Sequence, residues 1–153
     1  MSKPAELRRA LQGKSVFVVP YCHPDWAWTC TREWHEERYT LIFNEVLDIL
    51  RDHPEYRWFM DTENEQLAPF RERCPERMEE LREQVQAGRV GVSGGTIGIP
   101  HPHRLGGETF IRNMVLGRRY FERAFPGVDL SVLALNDTIF GYSQLPQLVT
   151  KCG

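Results

Sequence analysis

Ser15-Val-Phe-Val-Val-Pro-Tyr-Cys22 is a continuous apolar run rich in β-branched residues. That pattern fits a strand buried on both faces of a parallel sheet, and the reading of the fold turns on it. Beyond the run the pattern changes to a helical period. From Thr31 to His53 the apolar positions Tyr39, Ile42, Phe43, Val46, Ile49 and Leu50 recur at three and four, with Pro54 just beyond. An amphipathic helix of five or six turns, about 3.6 residues each, is expected there, with Arg32, Glu33, Glu36, Glu37, Asp48 and Arg51 on its other face.

Further out the alternation continues. Tyr56-Arg-Trp-Phe-Met60 reads as a second strand, and Asp61-Thr62 as the N-cap of a helix across Glu63 to Arg73. Pro75 suits the first turn of the next helix, Met78, Leu81 and Val85 its apolar face, and Gly88 its C-terminal cap. Arg89-Val-Gly-Val-Ser93 is the third strand, and Gly94 to Gly107 holds too many glycines and prolines to be other than a long loop. A helix from about Glu108 to Phe125 buries Phe110, Met114, Phe121 and Phe125, with Gly117 allowing a close approach. Leu130 to Leu135 forms a fourth strand and Leu145 to Lys151 begins one more helix. The order β-α-β-α-α-β-α-β-α is that of an α/β protein, in which right-handed crossovers wind a parallel sheet covered by helices. No repeat or linker divides it. Residues 1–153 are expected to be the N-terminal part of a single catalytic domain, cut soon after the last helix begins.

Composition agrees with a packed domain. The 153 residues are 41% hydrophobic, 11% aromatic and 26% charged, and a chain of this size buries about 70% of its surface without disulfide staples. Nineteen Lys plus Arg against 21 Asp plus Glu give a net charge of -2 with no basic block, which argues against nucleic-acid or anionic-membrane binding. No apolar run approaches a membrane span, and the residues before Val16 are too polar for a signal peptide, so the cytosol is the expected compartment. Cys22, Cys30, Cys74 and Cys152 show no CxxC pairing and are expected to be mostly free thiols.

Sites in parallel α/β folds collect at the carboxyl ends of strands, and strands one and four end in unusual chemistry. Strand one leaves as Tyr21-Cys22-His23-Pro24-Asp25-Trp26-Ala27-Trp28. Residues two apart on extended chain point the same way, so His23 and Asp25 can converge on one ion, zinc or a similar divalent metal. Asp137 leaves strand four toward a Gly-containing turn and is placed to be a third ligand. The plain alternative is that His23 and Asp25 cap a helix or pair with each other. Trp26 and Trp34 suit packing beneath the first helix, whereas Trp28, beside the ligands, suits a flat rim on which a pyranose stacks. His101 and His103 lie in the long loop, where two exposed histidines without a further donor are the simpler reading than a metal pair. His35 and His53 read as solvated or capping groups, and Cys22 faces away from His23, which disfavours a Cys/His nucleophile.

Taken together, these motifs resemble the N-terminal catalytic domain of the glycoside hydrolase family 38 α-mannosidases. His23-x-Asp25-x-x-Trp28 is similar to that family's HxDxxW. Glu108-Thr-Phe-Ile-Arg-Asn113 with Gly117-Arg-Arg-Tyr-Phe121 is similar to its GES-x-x-R helix, and Asp137 to Gln147 resembles its Asp-x-Phe-Gly-Tyr/His-Ser segment leading into Leu-Pro-Gln. The likeness runs in order from about Val16 to Gly153. It differs at Ile97, Ile99 and His101, where the family has aromatic and acidic residues, and at Ile139, one residue more than the commoner spacing. The resemblance implies the N-terminal half of a seven- or eight-stranded (β/α) barrel-like glycosidase domain and a metal-dependent retaining α-mannosidase. It implies His23 and Asp25 as metal ligands, Asp137 as both ligand and nucleophile, and Trp28 and Phe140 against the sugar. A fourth ligand and the acid carboxylate are implied later in the chain. The expected substrate is a mannoside or oligosaccharide, with a homo-oligomer as a further expectation. Two other readings stand beside this one: a noncatalytic sugar- or metal-binding relative, and a metal-dependent deacetylase on a related barrel.

Overall fold

The computed structural model describes residues 3–23, 25–26, 28–61, 64–137 and 143–152. Helix α1, Lys3–Leu11, buries no residue and was not expected from its charged sequence. Helix α2, Arg32–Asp52, matches the expected span: the Thr31 hydroxyl accepts from the Trp34 N–H at 3.3 Å, and His53 closes the far end. Its buried stripe is His35, Tyr39, Phe43, Val46, Leu47 and Leu50, the three-and-four spacing of one helix face.

Two strands follow the sequence reading with trimmed ends, β1 at Trp58–Met60 and β2 at Val90–Val92. They pair in parallel with Phe59 opposite Gly91. Between them run α3, Asn64–Arg73, a 3-10 turn at Pro75–Arg77, and α4, Met78–Gln86. Gly88 takes φ +66° just past α4, a left-handed turn that a Cβ would strain. Trp58, Met60, Val90 and Val92 face the helices and are buried, while Phe59 and Gly91 on the other face are half-buried. The core forms between that first face and the helices, with Phe43 stacked on Phe70 at 4.9 Å and edge-on to Trp58 at 5.3 Å.

Helix α5, Gly107–Ala124, is the longest after α2, and α6 spans Leu145–Lys151. Gly117 lies where α5 crosses the long loop backbone to backbone: an added Cβ would sit 2.3 Å from the carbonyl carbon of Thr96. The expected close approach is there.

The first and fourth strands depart from expectation. Residues 15–22 form no ladder beyond one parallel bridge, Tyr21 to Phe59, with the Phe59 N–H donating to Pro20 O at 2.9 Å. Far from being buried on both faces, Phe17 is 88% and Val18 81% exposed, with Val16 and Val19 also open. The apolar run is strand-like in composition, but among the described residues Val16 to Val19 are left open and only its carboxyl end is hydrogen-bonded and packed, where Cys22 meets the core. Residues 130–135 likewise form no regular strand. They lie beside β2, where the Gly94 N–H donates to Val132 O and the Ala134 N–H to the Ser93 hydroxyl, and Arg118 holds Leu130 O at 2.8 Å. The four segments thus lie side by side in chain order. The observed architecture is α/β with a two-stranded parallel sheet.

Candidate active site

The carboxyl ends of these segments gather the polar chemistry. His23 follows Tyr21, Asp61 follows β1, and Asp137 follows the segment beside β2. His23 Nε2 stands 3.8 Å from Asp25 Oδ1 and 3.8 Å from Asp137 Oδ2, and one donor atom from each of the three lies within 4.8 Å of the others. The structure therefore brings together the three residues that the sequence nominated as ligands. One imidazole nitrogen and two carboxylate oxygens suit zinc or a related divalent ion. Asp137 is the one non-glycine residue with positive φ among those described, at 48°. Aspartate tolerates this left-handed conformation better than most residues, and such backbone is concentrated at functional sites.

Behind the cluster are residues to which sequence reasoning assigns other roles. Asp61 is 1% exposed. Its Oδ2 accepts from Asn136 Nδ2 at 2.9 Å and lies 3.5 Å from His23 Nδ1. Its carboxylate thus reaches the site; Thr62, the other half of the expected N-cap, lies outside the described residues. Gln66, also buried, donates to Cys22 O at 3.0 Å and fixes the chain just before His23. A signal for Asp61 exists in the sequence: it leaves the end of strand two as Asp137 leaves strand four.

A cleft of about 430 Å³ is lined by the three residues of the cluster together with Trp26 and Trp28. Trp28 is 81% exposed, free to stack on a ligand, whereas Trp26 stacks on Tyr39 at 6.2 Å. Ile99, His101, His103 and Arg104 of the long loop line the cleft as well. This corrects the picture of two isolated loop histidines: their rings are 6.1 Å apart and line the same cleft as the three ligands. His35 is also corrected. It is 3% exposed and sits among Trp26, Trp34 and Tyr39, not in solvent. Burial pushes the Cys22 thiol above its ordinary range, which agrees with discounting it as a nucleophile. Phe140, the other expected sugar contact, lies outside the described residues. A larger hollow of about 560 Å³ lies near the opposite end of β1, beside Tyr56 and Arg57, where this kind of fold does not put its chemistry.

A parallel α/β scaffold with a His/Asp/Asp set that could hold a metal ion at its strand ends defines a class, the α/β proteins with a candidate site at the carboxyl ends of their strands. Comparison with known proteins narrows that class. Residues 14–153 match the model of the glycosyl hydrolases family 38 N-terminal domain, and the chain belongs to that family. It is similar to alpha-mannosidase G of Dictyostelium discoideum, 32% identical over 139 residues that are 90% of this chain and 12% of that protein. The crystal structure of an alpha-mannosidase from Enterococcus faecalis V583 superposes with a TM-score of 0.78 at 24% identity, covering 88% of this chain and 15% of that one. The 4-alpha-glucanotransferase of Thermococcus litoralis has the same fold over 88% of this chain and 20% of its own, at a TM-score of 0.71 and 15% identity. The chain thus spans about an eighth of the curated relative's length.

Proposed function

We propose that this chain carries the nucleophile and metal-binding part of a metal-dependent, retaining α-mannosidase. The observation that supports it most is the convergence of His23, Asp25 and Asp137 at the strand ends of a family 38 chain. The Dictyostelium relative, an alpha-mannosidase by name, supplies the substrate class, terminal α-mannosides. The side-by-side order of the four extended segments supports a barrel-like glycosidase domain of seven or eight strands, with residues 1–153 as its N-terminal part.

In this reading His23, Asp25 and Asp137 hold the ion, which supplies Lewis-acid polarisation and orientation of sugar hydroxyls. The Asp137 carboxylate attacks the anomeric carbon as the glycosidic bond breaks, giving a glycosyl ester on Asp137 that water then hydrolyses with net retention. The leaving oxygen takes its proton from a second carboxyl group, about 5 to 5.5 Å from the nucleophile in retaining enzymes. The exposed Trp28 face stacks on the C–H face of the ring.

The test is hydrolysis of an aryl α-mannoside by the intact protein, followed by NMR of the first-formed anomer. The α-anomer should appear first, and Asp137→Asn should lower turnover on the order of 10⁶-fold, the scale seen when a nucleophile is removed. A fluorinated mannoside should leave an adduct on the peptide containing Asp137. Full turnover in Asp137→Asn would overturn the nucleophile assignment, and hydrolysis of acetylated substrates without any adduct would favour a metal-bound water nucleophile.

A further inference from the structure

We infer that Asp61 is a positioning residue for the metal site: it holds the His23 ring so that Nε2, not Nδ1, is presented to the ion. This rests on the metal-site reading above and goes beyond it, since Asp61 belongs to none of the three converging ligands.

The two ring nitrogens of His23 face different partners. Nε2 points at the two ligand carboxylates, 3.8 Å from each, while Nδ1 points at Asp61 Oδ2, 3.5 Å away. A neutral imidazole has one N–H and one lone pair, and an ionised carboxylate only accepts. With Asp61 as its neighbour, Nδ1 is the nitrogen that carries hydrogen, and the lone pair falls on Nε2. The second contact on Asp61 supports the same assignment. Asn136 Nδ2 donates to the same Oδ2 at 2.9 Å, so the carboxylate is oriented from the far side by a residue adjacent to Asp137.

Burial distinguishes Asp61 from the ligands. Its side chain is 1% exposed, against 56% for Asp25 and 81% for Asp137. It cannot reach a sugar through the cleft, and it does not line that cleft. Its effect passes through His23. The exposed carboxylates meet the ion and substrate, and the buried one, tied to Asn136, sets the ring. Outer partners of this kind raise the basicity of a ligating histidine and fix its orientation. Asn136 adds a mechanical link: the residue that steadies Asp61 is bonded to the backbone that carries Asp137, so the first and fourth segments are placed with respect to each other through the end of β1.

The experiment measures Zn²⁺ affinity of the intact protein by competition with a chromophoric chelator, together with the visible spectrum of the Co²⁺ form. The wild type, His23→Ala, Asp61→Asn, Asp61→Leu and Asn136→Leu are compared. Asp61→Asn keeps an accepting oxygen and loses the charge, so affinity should fall about 10-fold; Asp61→Leu should approach the 100-fold limit of outer-partner effects. Asn136→Leu should lose less than either, and the Co²⁺ bands should shift in the Asp61 variants. Where Asp61→Leu fails to fold, the isosteric Asn variant carries the test. Wild-type affinity and an unchanged Co²⁺ spectrum in Asp61→Asn would overturn the positioning role. No zinc binding by the wild type, or the same binding in His23→Ala, would instead overturn the metal-site reading and this inference with it.

Discussion

Glu65, in the first turn of α3, carries a carboxyl group that burial pushes above the usual carboxylate range, and its Oε2 has no hydrogen-bond partner among the described residues. Gly98 lies against it, where an added Cβ would stand 3.0 Å from Oε1. A raised folded-state pKa means that the folded chain keeps a proton the unfolded chain has already released. The stabilisation this gives is complete below the unfolded value of about 4.3 and is lost as pH rises through the folded value. Glu65→Gln should therefore melt like the wild type near pH 3.5 and at a higher temperature at pH 7, as followed by circular dichroism. Equal melting at both pH values would mean that the carboxylate is solvated. Single residues are legible where a local rule applies. His23 and Asp25 share a face because they are two apart, and Asp137 stands out as an acid at a strand end. Asp61 obeys the same strand-end rule, but its partners, like the surroundings of His35, are set by tertiary packing. Asn136 is 75 positions from Asp61, and no spacing rule records that meeting.

Elements are legible where periodicity is long. Helices α2 and α5 have ends within a residue or two of expectation, because six buried positions in one and five in the other repeat at helical spacing. Strands are harder, since a short apolar run specifies β structure without specifying what covers it. The link from α5 to the site is legible only at Gly117. Asn113 on α5 accepts from the Ile97 and Gly98 N–H groups at 2.7 and 3.2 Å and donates to Gly98 O at 2.9 Å. Gly117, one helical turn on, receives the same loop without a side chain between. These two contacts hold the base of the loop whose later residues, Ile99 to Arg104, wall the cleft. Gly117→Ala should cost about 1 to 3 kcal/mol through overpacking, read as a lowered urea midpoint. Asn113→Asp keeps acceptors but loses the donor to Gly98 O, so about 1 to 3 kcal/mol should again be lost. Both variants should also weaken ligand binding in the cleft, because the moved wall carries His101 and His103. A loss of stability with ligand affinity unchanged would show that the wall is set by residues other than these.

At the scale of the whole molecule, the apolar run at the edge of the sheet is the open part of the packing among the described residues. Phe17 and Val18 are more than four-fifths exposed, Val132 is 61% exposed, and Tyr21 is half exposed. Among the described residues of the run, Tyr21 alone bridges to β1. A run of consecutive apolar residues with one free edge is a template for pairing with another chain, and Lys at such an edge is a device that blocks it. Residues 1–153 prepared alone should elute as oligomers in size-exclusion chromatography and bind a hydrophobic dye. The double variant Phe17→Lys, Val18→Lys should shift the population to monomer without lowering the melting temperature, because neither side chain takes part in the buried core. The two outcomes separate two physical accounts of the same surface. If the Lys variant becomes monomeric and dye binding falls, the exposed run drives association, as its edge geometry requires. If the wild-type polypeptide is already a monodisperse monomer with a cooperative melt, the helices on the other face suffice for stability and the sheet tolerates its open side, which would also remove the basis for expecting a homo-oligomer.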